Sequence, residues 1–184
     1  MAGSLGGPGP RSSALRPGAR VLPLIVISPV LRPGRPSEAR ALRALALRSK
    51  GFWGYDAEFL ARCRNDLAVS PAQIDGRRLV VAVMEGYLAG YVRLGGTHPA
   101  GELEALFVDP PWIGRGCGRL LLERAVAIAA SEGMTVLRIT ADPNAQPFYQ
   151  HAGARLIGHV PSPVIPGRVL PRLELNLPVL PPHR

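Results

Sequence analysis

Leu106-Phe-Val-Asp-Pro-Pro-Trp-Ile-Gly-Arg-Gly-Cys-Gly-Arg-Leu-Leu-Leu-Glu123 reads as an apolar strand that meets a proline stop, passes through a glycine-rich turn and continues as a helix. Gly114, Gly116 and Gly118 alternate with Ile113, Arg115 and Cys117. Glycine takes positive φ without steric cost and lets backbone come close to a ligand. Successive amides then point one way. Where such a turn opens a helix over residues 117–132, its unpaired first-turn N–H groups and the positive end of the helix dipole face the same spot. A phosphate or pyrophosphate fits there. Arg115 and Arg119 bracket the turn with guanidinium groups suited to phosphate oxygens.

Two familiar phosphate loops fail against these residues. A Walker loop needs Gly-Lys-[Ser/Thr], and the only lysine of the chain, Lys50, lies far upstream. The dinucleotide fingerprint G-x-G-x-x-G, started at Gly116, puts Leu121 where its third glycine belongs. A third pattern fits. The stretch resembles the pyrophosphate loop of the GNAT superfamily of acetyl-CoA-dependent N-acetyltransferases, [Gln/Arg]-x-x-Gly-x-[Gly/Ala] after a strand ending Val-x-Pro. Here Val108-Asp109-Pro110 ends the strand and Ile113-Gly114-Arg115-Gly116-Cys117-Gly118 forms the loop. Ile113 replaces the family's Gln or Arg, which removes a side-chain contact and leaves the backbone cradle. A second segment, Asp142-Pro-Asn-Ala145-Gln-Pro-Phe148-Tyr149-Gln-His-Ala-Gly153-Ala, resembles the family's Asn-x-x-Ala-x-x-[Phe/Leu]-Tyr-x-x-x-Gly-Phe, with Asp142 for Asn and Ala154 for the final Phe.

The resemblance covers residues 30–177. It implies an α/β (α+β) fold: a mixed, mostly antiparallel central sheet of six to seven strands, about four flanking helices, and a parallel pair splayed at the acetyl-CoA site. The domain would run over 28–178, behind a disordered low-complexity extension at 1–27 and before a short tail at 179–184.

Composition agrees with one domain. At 184 residues and 47% apolar content, the chain can bury a real core. The formal charge of +9 is almost wholly arginine and is not gathered in one run. It suits an anionic cosubstrate, whereas no stripe of interleaved Arg and aromatics and no reading helix marks a nucleic-acid partner. Cys63 and Cys117 make neither a CxxC nor a zinc pattern, so reduced thiols in a cytoplasmic protein are expected. The four histidines lack metal-ligand spacing, and no metal is expected. The apolar run at 21–31 could pass for a signal core, but Pro23 and Pro29 interrupt it and it is too short for a bilayer span. A tail feeding a first strand is the preferred reading, and no membrane partner is expected.

Along the chain, residues 30–33 end the first strand, and Leu42, Leu45 and Leu47 mark a helix over about 37–49. Residues 79–84 and 87–94 make a hairpin about Glu85-Gly86. After a loop at 95–100, residues 102–108 form the strand leading into the cradle. The helix beyond it carries Cys117, Leu121, Ala125 and Ile128 on one stripe and is capped by Gly133. Residues 135–140 form a strand parallel to 102–108. Pro147 fixes the next helix: capping at Asn144 puts this proline in the tolerated first turn, so the helix runs from Ala145 to Gly153. Residues 155–160 and 169–177 close the sheet.

Acetyl transfer needs a neutral amine, a stabilised oxyanion and a protonated leaving thiolate. Glu102 and Glu104 share one strand face, and strict alternation puts Leu106 and Val108 there too. By resemblance Glu102 falls at the base position, with Glu104 second; the plain alternative is a pair of solvated carboxylates. The resemblance also implies an oxyanion contact from a backbone N–H near Phe107 or Val108, cosubstrate contacts from Asp142 or Asn144, and Tyr149 near the thioester sulfur as general acid. Tyr149 alternatively packs in the core beside Phe148. Trp53 and Tyr55 line an acceptor pocket or simply pack their loop; Arg168 meets a substrate carboxylate, a phosphate or solvent. The implied activity is transfer of the acetyl group of acetyl-CoA to a primary amine of a small molecule or protein, by direct attack with a Glu base and a Tyr acid. The alternative is a non-catalytic GNAT-fold module that binds a CoA ester for regulation or interaction. A homodimer remains open.

Overall fold

A computed structural model describes residues 28–178. The expectations for the N-terminal extension, for residues 21–27 and for the C-terminal tail fall outside that range. The described residues fold into seven strands: β1 Val30–Pro33, β2 Leu79–Met84, β3 Tyr87–Thr97, β4 Ala100–Val108, β5 Val136–Thr140, β6 Arg155–Pro161 and β7 Val169–Asn176. Four helices accompany them: α1 Ala39–Gly51, α2 Ala57–Cys63, α3 Cys117–Ser131 and α4 Gln146–His151. The sheet order is β1-β2-β3-β4-β5-β7-β6. Every neighbouring pair is antiparallel except β4 and β5. This is the mixed, mostly antiparallel architecture the sequence implies.

The sheet is covered on both faces, which is why β2 reads Leu-Val-Val-Ala-Val-Met without polar interruption. On one face Val80, Ala82 and Met84 pack with Leu121, Leu122 and Ala125 of α3. On the other, Leu79 and Val81 pack with Leu42, Leu45 and Ala46 of α1 and Cys63 of α2. Leu47, expected on the apolar stripe of α1, is only partly buried, and Ala46 and Ser49 are buried instead. Glu85 at φ 51 and Gly86 at φ 83 form the tight β2–β3 turn, whose two central residues need positive φ.

Two boundaries and one strand register differ from expectation for local reasons, and α1 runs two residues later than the expected 37–49. The loop expected at 95–100 shrinks to His98 and Pro99, with Thr97 paired to Ala100. Gly95 stays in the strand because the space of its missing side chain is filled by the Glu104 carboxylate. The helix expected from Ala145 is preceded by a 3-10 turn, Pro143–Ala145, capped by the Asp142 side chain, which accepts from Asn144 N–H at 3.1 Å. α4 therefore starts at Gln146 and ends at His151, and Pro147 still falls in its harmless first turn. Gly153, at φ 95, turns the chain out of α4.

The third difference bears on chemistry. The β3–β4 register shifts between Arg93, opposite Ala105, and Leu94, opposite Leu103, leaving Glu104 as an extra residue in β4. Such a bulge resets side-chain alternation. Leu103, Leu106 and Val108 consequently pack on the α3 side, and Ala105 and Phe107 on the α1 side. The strict alternation that groups Leu106 and Val108 with the two glutamates is thereby corrected.

β4 and β5 pair only from Ala100↔Val136 to Leu103↔Ile139. β4 then runs on to Val108 with no strand among the described residues on that side, and the two strands part. The far end of β4 is fixed by Asp109, which accepts from Arg48 Nε at 2.9 Å and Nη2 at 2.7 Å while its N–H donates to Ala89 at 2.8 Å.

Gly90, on β3, faces β4 so closely that a Cβ would lie 2.7 Å from the Phe107 carbonyl oxygen and 3.0 Å from Leu121. Because one contact is backbone, Gly90→Ala is expected to cost about 1–3 kcal/mol. Urea unfolding followed by circular dichroism measures the loss.

Candidate active site

The glycine turn adopts the conformation its composition suggests. Gly114 and Gly116 sit at φ 78 and 83, and a Cβ at either would meet nothing within 4 Å, so the turn opens to solvent. Gly116 is the N-cap of α3 and offers no capping side chain. Leu120 N–H already bonds the Gly116 carbonyl at 3.1 Å. The first-turn N–H groups of α3 are thus left to a ligand or water, at the positive end of a fifteen-residue helix. Ile113 turns inward onto the core, consistent with an apolar side chain in place of Gln or Arg. Cys117 is fully buried beneath the turn, with its Sγ 3.3 Å from Met84 Sδ. Burial pushes its thiol up, so it stays protonated. Arg115 lies over the Trp112 ring at 5.1 Å from the centroid.

One cavity of about 560 Å³ leads from this turn along the parting strands. Gly114, Gly116, Gly118 and Arg119 line one end, and Leu106, Phe107, Val108, Phe148 and Tyr149 its middle. Ser49, Lys50, Trp53, Tyr91, Arg93 and Glu104 line the rest, with the loop that follows α2 at residues 66–69. Arg115 and Cys117, expected at the cosubstrate, are not among the lining residues.

The two candidate bases part company. Glu104 lines the cavity. Glu102 does not: its oxygens accept from Arg172 at 2.6 and 2.9 Å, and the same guanidinium donates to Thr140 Oγ1 at 2.7 Å. Tyr149 is 6% exposed, in edge contact with Phe148 at 5.0 Å between centroids. Burial alone drives its phenol pKa upward, with no charge or hydrogen bond opposing it. Tyr149 is therefore a neutral donor at physiological pH.

Asp142, which lines the cavity with Asn144 and Lys50, is the hub of a polar cluster. Its carboxylate accepts from Lys50 Nζ at 3.2 Å, Tyr55 O–H at 2.9 Å, Arg168 Nη2 at 3.1 Å and the Asn144 backbone and side-chain amides at 3.1 and 3.2 Å. Arg168 and Asn144 also donate to the Tyr55 oxygen, at 2.5 and 3.1 Å. Tyr55 stacks on Phe59 at 4.1 Å, and Lys50 and Arg168 approach both rings. Burial works to raise the Asp142 carboxyl, but the Asn144 N–H, Lys50 and Tyr55 outweigh it and hold the group below the usual carboxylate range. Tyr55 and Arg168, expected at the substrate, lie in this cluster and outside the cavity lining; Trp53 lines the cavity.

Residues 48–160 match the family described as acetyltransferase (GNAT) domain, over half of the chain. The chain belongs to the GNAT acetyltransferase family. Aminoglycoside N(6')-acetyltransferase type 1 of Stenotrophomonas maltophilia is 30% identical to it over 144 residues, 73% of this chain and 88% of that protein. The crystal structure of a GCN5-related N-acetyltransferase from Rhodopseudomonas palustris matches with a TM-score of 0.70 and 25% identity, covering 83% of this chain and 99% of that one. The PaiA N-acetyltransferase of Thermoplasma acidophilum, solved in complex with coenzyme A, shares the fold at a TM-score of 0.66 and 18% identity, over 82% and 99% of the two chains. This GNAT acyltransferase has no helix among its described residues that is long and apolar enough to cross a membrane.

Sequence reasoning missed Lys50, Arg93 and Ser49 as lining groups of the acetyltransferase. Only Lys50 carried a signal, being the single lysine in an arginine-rich chain. The Asp142 cluster yields a pH signature. Because the folded Asp142 pKa is depressed, the stabilisation is present above the unfolded value and is lost as pH falls through the folded one. Asp142→Asn is expected to cost about 1–3 kcal/mol at neutral pH, with the gap to wild type constant above about pH 5 and shrinking below about pH 4. Denaturant unfolding of both proteins across that range checks it.

Proposed function

We propose that this acetyltransferase moves the acetyl group of acetyl-CoA to a primary amine of a small molecule by direct attack. The observation that carries the reading is the single cavity joining the glycine turn at the head of α3 to Tyr149 and Glu104. The coenzyme A complex of the Thermoplasma relative supports a CoA thioester as the donor. The residues here fit such a group. Free N–H groups at residues 117–119 and the Arg119 guanidinium suit a pyrophosphate, and the unpaired side of β4 beyond Leu103 suits the amides of a pantetheine arm.

In this reading Glu104 takes the proton of the acceptor ammonium, directly or through water. The amine nitrogen then bonds to the thioester carbonyl carbon as the carbon–sulfur bond breaks. A backbone N–H of Phe107 or Val108 meets the developing oxyanion. Tyr149, held neutral by burial, gives its proton to the departing sulfur, and the second proton shed by the nitrogen returns through solvent to the phenol. Asp142 acts by tying Lys50, Tyr55 and Arg168 into one wall, and Glu102 acts with Arg172 to hold β4, β5 and β7 together.

Calorimetric titration with acetyl-CoA at physiological salt is the first test. Wild type is expected to bind in the micromolar range, and Gly116→Glu, which forces a side chain into the positive-φ turn and adds negative charge, to lose at least about tenfold. Tyr149→Phe should bind acetyl-CoA normally yet lower kcat by about 100-fold, and Glu104→Gln should do the same where Glu102→Gln does not. A folded wild type that shows no binding would overturn the reading.

A further inference from the structure

Most charged side chains around the cavity are committed to partners: Glu102 to Arg172, Asp109 to Arg48, and Asp142 to both Lys50 and Arg168. Arg93 is held more loosely, by Glu104 alone. Its Nε approaches Glu104 Oε2 at 3.1 Å, but the alignment makes no hydrogen bond, and Nε is the buried side-chain nitrogen left without a partner among the described residues. The guanidinium lines the cavity at the bulge end of β4, beside Tyr91, with 20% of the side chain exposed against 40% for Glu104. Leu67 and Val69 wall the same end with apolar surface.

A cation and a carboxylate side by side in an apolar-walled end are complementary to a molecule carrying both charges on neighbouring atoms. We infer that Arg93 is an acceptor-binding residue that takes the acceptor's carboxylate while Glu104 faces its ammonium, so that the substrate class is an α-amino acid or a closely related small amino carboxylate. The inference rests on the acetyl-transfer reading above. Acetylation forms the N–C bond and breaks the C–S bond; the nitrogen sheds two protons, one to Glu104 and one that returns through solvent to Tyr149, which has given its own proton to the thiolate. The product keeps the carboxylate on Arg93 and loses the positive charge that faced Glu104. A polycationic acceptor suits this end poorly. It brings no anion for Arg93.

The test is thiol release from acetyl-CoA by the full chain with the twenty common L-α-amino acids, each beside its α-carboxamide, and with kanamycin and spermidine. At least one amino acid is expected to exceed its carboxamide about 100-fold in kcat/KM. Arg93→Gln should erase that preference by costing the acid far more than the carboxamide, with the difference carried by KM, and Arg93→Lys should restore part of it. Unchanged acetyl-CoA binding by the variants confirms that they fold; if they do not, the wild-type ratio of acid to carboxamide decides by itself. Equal use of acid and carboxamide, preference for the polycations, or equal losses for acid and carboxamide in Arg93→Gln overturns the inference. Acetyl-CoA binding with turnover of other amines only also overturns it, and the transfer reading survives. Absence of acetyl-CoA binding defeats both.

Discussion

Beyond Leu103 the backbone of β4 has a strand on its β3 side only, because its parallel pairing with β5 stops after four residue pairs. Peptide groups left in that state inside a fold are costly unless water or a ligand meets them. The parting of the strands is what opens the cavity. It exposes the last five residues of β4, admits Phe148 and Tyr149 from α4 to the same space and aims the gap at the head of α3. The surrounding ion pairs hold the wedge at both ends: Arg172 and Glu102 clasp it where the strands still pair, and Arg48 and Asp109 fix β4 where it ends.

The bulge at Glu104 is the second constraint. Without the extra residue, β4 would carry the same faces along its whole length, and Ala105 and Phe107 would change places with Leu106 and Val108 between the two cores. With it, the glutamate folds over Gly95 toward Arg93, and the strand beyond it presents Phe107 to Tyr91, with ring centroids 5.6 Å apart. One inserted residue thus sets both where a carboxylate stands and which apolar side chains back it.

Legibility in the sequence followed how local each cause was. The cradle was readable because positive φ at Gly114 and Gly116 has a one-residue cause, and the β2–β3 turn was readable for the same reason at Gly86. Pro147 limited where α4 could start, to within one residue of the observed position. The bulge was not readable, since it depends on Gly95 leaving room on a neighbouring strand. Nor was the Asp142 cluster, whose partners Lys50, Tyr55 and Arg168 stand 92, 87 and 26 positions away. The ranking of Glu102 over Glu104 came from the family pattern; Arg172, which occupies Glu102, belongs to a strand 70 positions later.

The chain carries 22 basic side chains, of which one is lysine. Guanidinium groups give the surface its positive charge without giving it nucleophiles, because arginine stays protonated where an amine would be partly free. Lys50 itself is held by Asp142 at 3.2 Å and by two aromatic rings, each with its centroid 5.6 Å away. A protein built this way can hold a reactive thioester beside a strongly basic surface and present almost no side-chain amine of its own to be acylated.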